Sequence, residues 1–303
     1  QCHGGPAAVE LVFDALEAAG VVRVESGEFA RRAAESPIRA AALEDLARAS
    51  TLRTAEILLE QARGALDAEL DRLIALVELD RARAIADLDR LIERGRIGVR
   101  LISGWRVVIA GRPNVGKSRL LNALAGYDRA IVDPVPGTTR DVVTAASAFE
   151  GWPVDLVDTA GVRGTEDRIE RSGIARAHRE HRRADLLLKV FDRSRPLEAG
   201  DARLLAAEGS ALVVASKADL PASWTPETAI PDAGAVVTVS AERGDGLEAL
   251  GRAIAGRLVP VPPEAGSGLP FRPEQVDALH AAREAIASGA VREASAVLRA
   301  LRG

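Results

Sequence analysis

Apolar side chains recur every three or four positions through most of the first third of the chain, which is the spacing of amphipathic helices. The repeat predicts helices from about residue 37 to residue 100, and again over 276–287 and 291–301. Charged residues occupy the positions between, and we therefore expect a helical domain with a solvated polar face. A coiled-coil surface for a partner is the alternative, although no strict heptad persists over several repeats.

The pattern changes between Trp105 and about Val261, where short apolar runs alternate with helix-like segments. Such alternation predicts a mostly parallel sheet. Only a turn around Glu150-Gly151 separates the second run from the third, which predicts an antiparallel hairpin. Lys189 interrupts an apolar run, so we expect it at a strand edge or with its ammonium reaching past its neighbours. The predicted strands are 106–110, 145–149, 154–158, 185–192, 211–216 and 235–240.

Proline and glycine mark the end of this pattern. Two clusters of these residues lie within 259–268, and they predict a linker. Residues 37–100 and 271–303 are both helical in character, so an economical arrangement is one helical domain into which an α/β domain, residues 101–262, is inserted. Residues 1–36 hold a predicted helix over 7–19 and a short strand over 21–24, which is too little for an independent core.

The composition sets broad limits on function. The chain has 303 residues, of which 47% are hydrophobic and 28% charged, as in ordinary globular proteins. Its net charge of −4 gives no general attraction to nucleic acid. Cys2 is the single cysteine, so neither an internal disulfide nor a cysteine metal site is predicted. This cysteine usage predicts a cytoplasmic protein. No apolar run approaches the roughly 18 residues of a membrane span, and no signal peptide is recognisable.

The most informative stretch joins the first predicted strand to the helix after it. Residues 111–119 read Gly-Arg-Pro-Asn-Val-Gly-Lys-Ser-Arg, the pattern of a phosphate-binding loop in the strand–loop–helix context that it requires. Its glycines let backbone N–H groups surround a polyphosphate at a helix N-terminus. We expect Lys117 to reach the β- and γ-phosphates and Ser118 to bind Mg²⁺. The loop residues expected to contact nucleotide are Gly111, Asn114, Val115, Gly116, Lys117, Ser118 and Arg119.

Two further motifs follow where GTP-binding domains sense the γ-phosphate. Thr138 and Thr139 lie in Pro-Gly-Thr-Thr-Arg-Asp, at the position where a threonine completes the Mg²⁺ shell. Asp158-Thr-Ala-Gly161 ends the third predicted strand, so Asp158 would hold Mg²⁺ through water and the Gly161 N–H would meet the γ-phosphate. The next residue, Val162, stands where many GTPases carry the glutamine that orients the attacking water. Hydrolysis therefore needs another group or is very slow.

The last two motifs predict selection of guanine. Ser216-Lys217-Ala218-Asp219 ends an apolar strand, and the Asp219 carboxylate can accept both the ring N–H and the amino protons of guanine, which selects GTP over ATP. Lys217 would lie along the base, and the Ala241 N–H, after Ser240, would meet the guanine oxygen. Because these motifs follow strands of one sheet, we expect them at one edge, where open α/β sheets bind ligands.

The motifs and the segments around them resemble the MnmE (TrmE) family of bacterial tRNA-modification GTPases. Residues 1–6, Gln-Cys-His-Gly-Gly-Pro, are similar to a segment late in that family's folate-binding domain, and Ser26-Gly-Glu-Phe29 to one just after it. The GTPase motifs are shared with ribosome-assembly GTPases, and the flanking segments single out this family. The resemblance implies an α/β P-loop GTPase domain, with a mostly parallel sheet and one antiparallel hairpin, inserted into an α-helical domain. Residues 1–36 would be a remnant of the folate-binding domain.

The resemblance also implies how GTP is hydrolysed without the glutamine. Members of the family use K⁺ beside the phosphates together with GTP-dependent pairing of their G domains. Asn114 matches the K⁺-ligating asparagine, and Asp133 and Val135 match positions whose backbone carbonyls complete that site. Glu170 matches the water-positioning glutamate, although the residues alone indicate a solvated helix charge. The implied ligands are GTP or GDP, Mg²⁺ and K⁺, and the implied partners are tRNA and an MnmG-like flavin-containing protein.

The sequence departs from the family at several places. Most of the folate-binding domain and the C-terminal Cys-x-Gly-Lys motif have no counterpart in residues 1–303, which leaves folate binding and the modification chemistry open. Ser216 replaces an asparagine that ties the base site to the phosphate loop, and the shorter side chain is expected to weaken nucleotide binding. The favoured hypothesis is a K⁺- and Mg²⁺-dependent GTPase that supports modification of the tRNA wobble uridine. A GTPase repurposed for ribosome assembly or regulation, and a GTP-binding scaffold that barely hydrolyses, are the alternatives.

Overall fold

The computed structural model describes residues 5–25, 27–28, 32, 34–127, 143–158, 183–206, 210–230 and 236–303. Its centre is a six-stranded sheet in the order β2-β3-β1-β4-β5-β6. β2 is antiparallel to β3, and the other neighbouring strands are parallel. The strands are β1 Trp105–Ala110, β2 Val143–Phe149, β3 Trp152–Asp158, β4 Leu186–Asp192, β5 Ala211–Ser216 and β6 Val236–Thr238.

The sheet confirms the predicted strands to within two residues at each end. Its central strands are continuous apolar runs because both of their faces are covered; Val107, Val108 and Ile109 in β1 are fully buried. The predicted hairpin is also confirmed. Glu150 and Gly151 both have positive φ, 51° and 77°, as a tight turn between right-twisted antiparallel strands requires.

Lys189 lies in β4, in the middle of the sheet, so the expectation of a strand edge was wrong. Its ammonium instead reaches the end of a neighbouring helix and donates to the Leu205 carbonyl at 2.9 Å. Carbonyls in the last turn of a helix lack a partner within the helix, and a lysine is a suitable donor for them. Burial lowers the pKa of Lys189. The second expectation, an ammonium that reaches past the apolar side chains, is confirmed.

In the described part of the chain, four helices accompany the sheet and eight lie before or after it. Those before the sheet are α1 Pro6–Ala18, α2 Pro37–Leu46, α3 Leu52–Ala62, α4 Ala65–Leu79, α5 Arg81–Gly98 and α6 Arg100–Ser103. Within the sheet region are α7 Lys117–Tyr127, α8 Ala199–Leu205, α9 Pro226–Ala229 and α10 Leu247–Leu258. The last two are α11 Pro273–Ala287 and α12 Val291–Arg302. No helix in the described ranges combines the length and the apolar character that crossing a bilayer demands.

Helices from the two ends of the chain pack on one another. α11 contacts α5, α12 contacts α4, and the two also contact each other. Leu70 of α4, Leu88 of α5 and Leu279 of α11 are fully buried in a core cluster that continues into the sheet. The helical pieces before and after the sheet therefore share one apolar interior.

The segment that leads from the sheet back to these helices is exposed at its start and buried at its end. Residues 260–262 are exposed, but residues 268–271 are buried. The Gln61 side chain bonds the Ser267 carbonyl at 3.2 Å and the Leu269 N–H at 3.1 Å, and Arg94 donates to the Gly268 carbonyl at 2.8 Å. The prediction of a linker was thus wrong for its last residues, because two side chains from the helices satisfy its backbone groups.

The helices before the sheet also contact the turn of the hairpin. Thr51, which caps α3, donates its hydroxyl to the Gly151 carbonyl at 2.7 Å. The Arg53 guanidinium lies 5.0 Å from the centre of the Trp152 ring, and that ring meets Trp105 edge-on at 5.6 Å. These contacts join the start of α3 to the turn between β2 and β3.

The amino-terminal helix stands apart from this core. α1 confirms the helix predicted over 7–19, but none of its residues is buried and Leu11 is 70% exposed. Residues 21–24 form no strand, so that expectation was wrong. Arg23 instead lies over the Phe13 ring at 4.1 Å and pairs with Glu10.

Candidate nucleotide site

The phosphate loop lies between the end of β1 and the start of α7. Gly111 comes so close to β4 that a Cβ there would lie 2.5 Å from the Val190 carbonyl oxygen. Asn114 and Gly116 both have positive φ, 65° and 98°, so the backbone turns sharply before the helix begins. Lys117 folds back over the loop and donates to the Arg112 carbonyl at 2.8 Å. Loop, lysine and helix N-terminus have the arrangement that a polyphosphate requires.

Two oxygen ligands suited to Mg²⁺ lie together beside the loop. The Ser118 hydroxyl donates to the Asp158 carboxylate at 2.5 Å, and Asp158 is buried at the end of β3. Among the described residues no group of three or more His, Cys, Asp or Glu side chains could hold a metal. Magnesium bound to phosphates keeps several waters and takes only one or two protein ligands, so this pair fits such an ion.

Ser216 keeps the base site tied to the phosphate loop. Its hydroxyl lies 2.7 Å from the Val115 carbonyl oxygen in the loop and 3.0 Å from the Phe191 carbonyl oxygen at the end of β4. The side chain is buried, and a hydroxyl has one proton to share between these two acceptors. The serine is short, yet its contact with the loop is present because the end of β5 lies directly against it.

Asp219 and Ser240 meet where guanine recognition is predicted. Ser240, which is fully buried, donates its hydroxyl to the Asp219 carboxylate at 2.7 Å and accepts the Arg243 N–H at 3.1 Å. The hydrogen bond from Ser240 lowers the pKa of Asp219. Asp219 is therefore a fixed, ionised acceptor at neutral pH, with Ala241 next to Ser240 on the chain.

Lys217 is held by a carboxylate that belongs to none of the predicted motifs. Its ammonium lies 2.6 Å from Asp192 Oδ2, at the end of β4. Asp192 and Asp158 are both aspartates at the end of an apolar strand. This position in the sequence could have predicted a role for Asp192 as it did for Asp158. A carboxylate at that place lies on the edge where ligands bind.

Two arginines of the phosphate loop face outward. Arg119 is exposed and lies 3.4 Å from Glu242, which follows the Ser240-Ala241 motif. Arg112 pairs with Glu198 at 2.6 Å and with Asp201 at 3.5 Å, at the start of α8. The hydrogen bond with Glu198 raises the pKa of Arg112. These pairs connect the loop to the segments beside it.

The structure thus brings 111–119, Asp158, 216–219 and 240–241 together at the carboxyl ends of the parallel strands. The remaining predicted residues fall in 128–142 and 159–182, outside the described part of the chain. They are Asp133, Val135, Thr138, Thr139, Gly161, Val162 and Glu170.

The sheet order, the phosphate loop and the guanine motif define a P-loop GTPase domain. Residues 106–217 match the family model described as a 50S ribosome-binding GTPase. The chain is 35% identical to a tRNA modification GTPase MnmE of Thermus thermophilus, over 94% of this chain and 69% of the relative. It is also 35% identical to the MnmE of Chloroflexus aurantiacus, over 95% of this chain and 73% of the relative. The chain belongs to the MnmE family of tRNA modification GTPases.

The match does not extend over the whole length of these relatives. The MnmE of Synechococcus sp. strain CC9605 is 38% identical over 75% of this chain, and the chain spans 58% of that protein.

Proposed function

We propose that this protein hydrolyses GTP to GDP and phosphate with Mg²⁺ as cofactor. The observation that carries the proposal is the pairing of the Ser118 hydroxyl with the Asp158 carboxylate at 2.5 Å. This pair lies on the sheet edge that also carries Lys217 and Asp219. A GTP molecule along this edge would have its base at Asp219 and its phosphates at the loop.

The residues at this edge of the sheet would then bind different parts of the nucleotide. Backbone N–H groups of the loop and the Lys117 ammonium bind the β- and γ-phosphates. Asp219 accepts the guanine N–H protons, and the Ala241 N–H binds the guanine oxygen. Ser118 and Asp158, together with Thr139, would hold Mg²⁺, which neutralises charge on the β- and γ-phosphate oxygens when bound.

The proposed route to hydrolysis compensates for Val162. Asn114 lies in the sharp turn of the loop, with φ 65°, and its amide oxygen is a suitable ligand for K⁺. Asp133 and Val135 would complete that site with backbone carbonyls, and the bound cation would stabilise charge between the β- and γ-phosphates. Glu170 would orient the attacking water, and the Gly161 N–H and Thr138 would contact the phosphate side of the site.

At the level of the whole chain, we propose three regions. Residues 37–100 and 271–303 form a helical domain, residues 101–262 form the GTPase domain, and residues 1–36 are a remnant of a folate-binding domain. The packing of α11 and α12 on α5 and α4 supports the helical domain. Pairing of two GTPase domains on GTP would move the helices, a population shift driven by γ-phosphate contacts.

The name of the relatives supports a wider role. We propose a cytoplasmic protein that helps to modify tRNA. The proposed position is the wobble uridine, and the proposed partner is a flavin-containing protein. The test is restoration of that modification by this protein in a strain that lacks the family member. A folded protein that hydrolyses GTP but restores no modification would contradict this role and leave the GTPase activity standing.

The catalytic proposal is tested by GTP turnover in KCl and in NaCl at equal ionic strength, with and without Mg²⁺. We expect turnover to need Mg²⁺ and to be faster in KCl, and Asn114→Ala to remove the difference between the salts. Asn122→Ala is the matched control, because Asn122 is an exposed asparagine of α7 outside the loop. Equal rates in both salts for the unmodified protein would contradict the role of K⁺.

A further inference from the structure

Asp192 is a buried, fully bonded carboxylate near the nucleotide site that the proposed function does not use. It is the last residue of β4, and its side chain is 8% exposed. Oδ2 receives the Lys217 ammonium at 2.6 Å. Oδ1 receives both the backbone N–H of Ser194, at 2.9 Å, and its hydroxyl, at 2.6 Å. Three donors therefore fix the direction in which this carboxylate points.

The surroundings of Asp192 are also fixed. Its backbone carbonyl accepts the indole N–H of Trp224 at 3.0 Å, and Trp224 is buried against the outer part of the sheet. Burial alone would raise the pKa of Asp192, but the hydrogen bonds from Lys217 and Ser194 outweigh it, and the pKa is lowered. The carboxylate is thus charged at neutral pH and held on both sides.

The backbone of Lys217 adopts an unfavourable conformation that surrounding contacts must stabilise. Its φ of 61° lies in the left-handed region, which is unfavourable for a residue with a side chain. Non-glycine residues in this region persist where surrounding contacts determine them, and they concentrate at functional sites. The Lys217 carbonyl accepts the Leu220 N–H at 3.0 Å, which closes the turn leading to Asp219. Its long side chain would be free to rotate without a partner, and Asp192 supplies that partner.

We propose that Asp192 is a positioning residue for guanine recognition, which holds Lys217 along the place of the base. The inference rests on the proposed function, because it assumes that guanine nucleotide binds at this sheet edge. Asp192 itself would not touch the nucleotide. It acts through the direction that it gives to the Lys217 side chain and to the turn between Lys217 and Asp219.

The test is the affinity of the purified chain for fluorescent GDP and for GTP. Asp192→Asn keeps the shape and an acceptor for Ser194 but removes the charge opposite Lys217. We expect the Kd for GDP to rise about tenfold, because a Lys217 side chain released from Asp192 must lose its rotational freedom when it packs along the base. For GTP turnover, KM should rise by a similar factor while kcat stays within about twofold, since the γ-phosphate is distant from the base.

Asp185→Asn is the matched control. Asp185 precedes the opposite end of the same strand, and its carboxylate pairs with Arg100 at 2.6 Å and accepts the Arg106 N–H at 2.8 Å. Both variants lose one ion pair next to β4, so a general loss of stability would affect both. We expect the Kd of Asp185→Asn to be unchanged. Equal changes in Kd for the two variants would overturn the positioning role.

A double-mutant cycle with Lys217→Met isolates the proposed coupling. If Asp192 acts through Lys217, adding Asp192→Asn to Lys217→Met should raise the Kd no further, and independent, additive losses would overturn the proposal. If Asp192→Asn does not fold, Asp192→Ser removes the same charge opposite Lys217 with a smaller side chain, and an unchanged Kd would overturn the proposal equally. An unmodified chain that binds neither GDP nor GTP would contradict the proposed function, whereas normal binding by Asp192→Asn would contradict only this inference.

Discussion

Ser216→Ala removes a hydroxyl that is buried between β5, β4 and the phosphate loop. The hydroxyl lies 2.7 Å from the Val115 carbonyl oxygen and 3.0 Å from the Phe191 carbonyl oxygen. One proton cannot make two full hydrogen bonds. The substitution therefore removes the free energy of one hydrogen bond and adds the cost of leaving a buried acceptor unpaired. Together these amount to about 1 to 3 kcal/mol of folding free energy. If about 1 kcal/mol of this loss falls on the nucleotide-bound state, the Kd for GDP rises about fivefold.

Ser147→Ala separates the loss of stability from the loss of affinity. Ser147 lies in β2, is equally buried, and donates its hydroxyl to the Leu124 carbonyl at 3.0 Å. Denaturant unfolding should show similar destabilisation in both variants, whereas titration with fluorescent GDP should show a raised Kd for Ser216→Ala alone. If the two variants bind GDP equally well, the tie from Ser216 to the phosphate loop does not contribute to binding, and the reasoning is refuted.

Three further predictions concern the same sheet edge. Gly111→Ala should destabilise the domain by about 1 to 3 kcal/mol in denaturant unfolding, because its Cβ would lie 2.5 Å from the Val190 carbonyl oxygen and the backbone must shift; an unchanged midpoint would contradict this. Asp219→Asn should reverse the preference between guanine and xanthine diphosphates in a competition assay, since an amide can donate to the xanthine oxygen where the carboxylate only accepts; retained preference for GDP would contradict it. Because the pKa of Asp219 is lowered from 3.8, its contribution is complete above that value and is lost as the pH falls through the lower, folded-state pKa. The factor by which Asp219→Asn weakens GDP binding should therefore be constant from about pH 8 to about pH 5, because ionisation of the GDP phosphate affects both proteins alike, and a decline of that factor within the range would contradict the assignment.

Much of the sheet and of its ligand edge could be predicted from sequence, because the information is local. A buried parallel strand is an apolar run, and Val107, Val108 and Ile109 show it directly. The phosphate loop has fixed spacing between its glycines and Lys117, so its place at the end of β1 follows from the strand before it. The hairpin also needed only the two turn residues between β2 and β3.

The contacts that the sequence left unpredicted join residues far apart along the chain. Lys189 can lie in a central strand because its ammonium donates to the Leu205 carbonyl at the end of α8. Nothing in the sequence near Lys189 predicts this contact. Gln61 secures the return segment through residues more than 200 positions away. Asp192 pairs with Lys217 across two neighbouring strands. Such pairings depend on strand order, which the order of apolar runs does not determine.

Nucleotide affinity and hydrolysis depend on different parts of this chain, and that separation gives the proposals independent tests. Ser216, Lys217 and Asp219 are fixed by contacts around the base, so changes there should weaken GDP and GTP binding alike. The residues proposed to act at the γ-phosphate, Thr139 and Glu170, would be engaged by GTP and not by GDP. A variant of Glu170 that binds GDP normally but loses turnover in KCl would therefore identify a catalytic defect, because its base site is intact. Substitutions of Ser216, Lys217 or Asp219 should give the converse pattern, a raised Kd for GDP with a normal kcat.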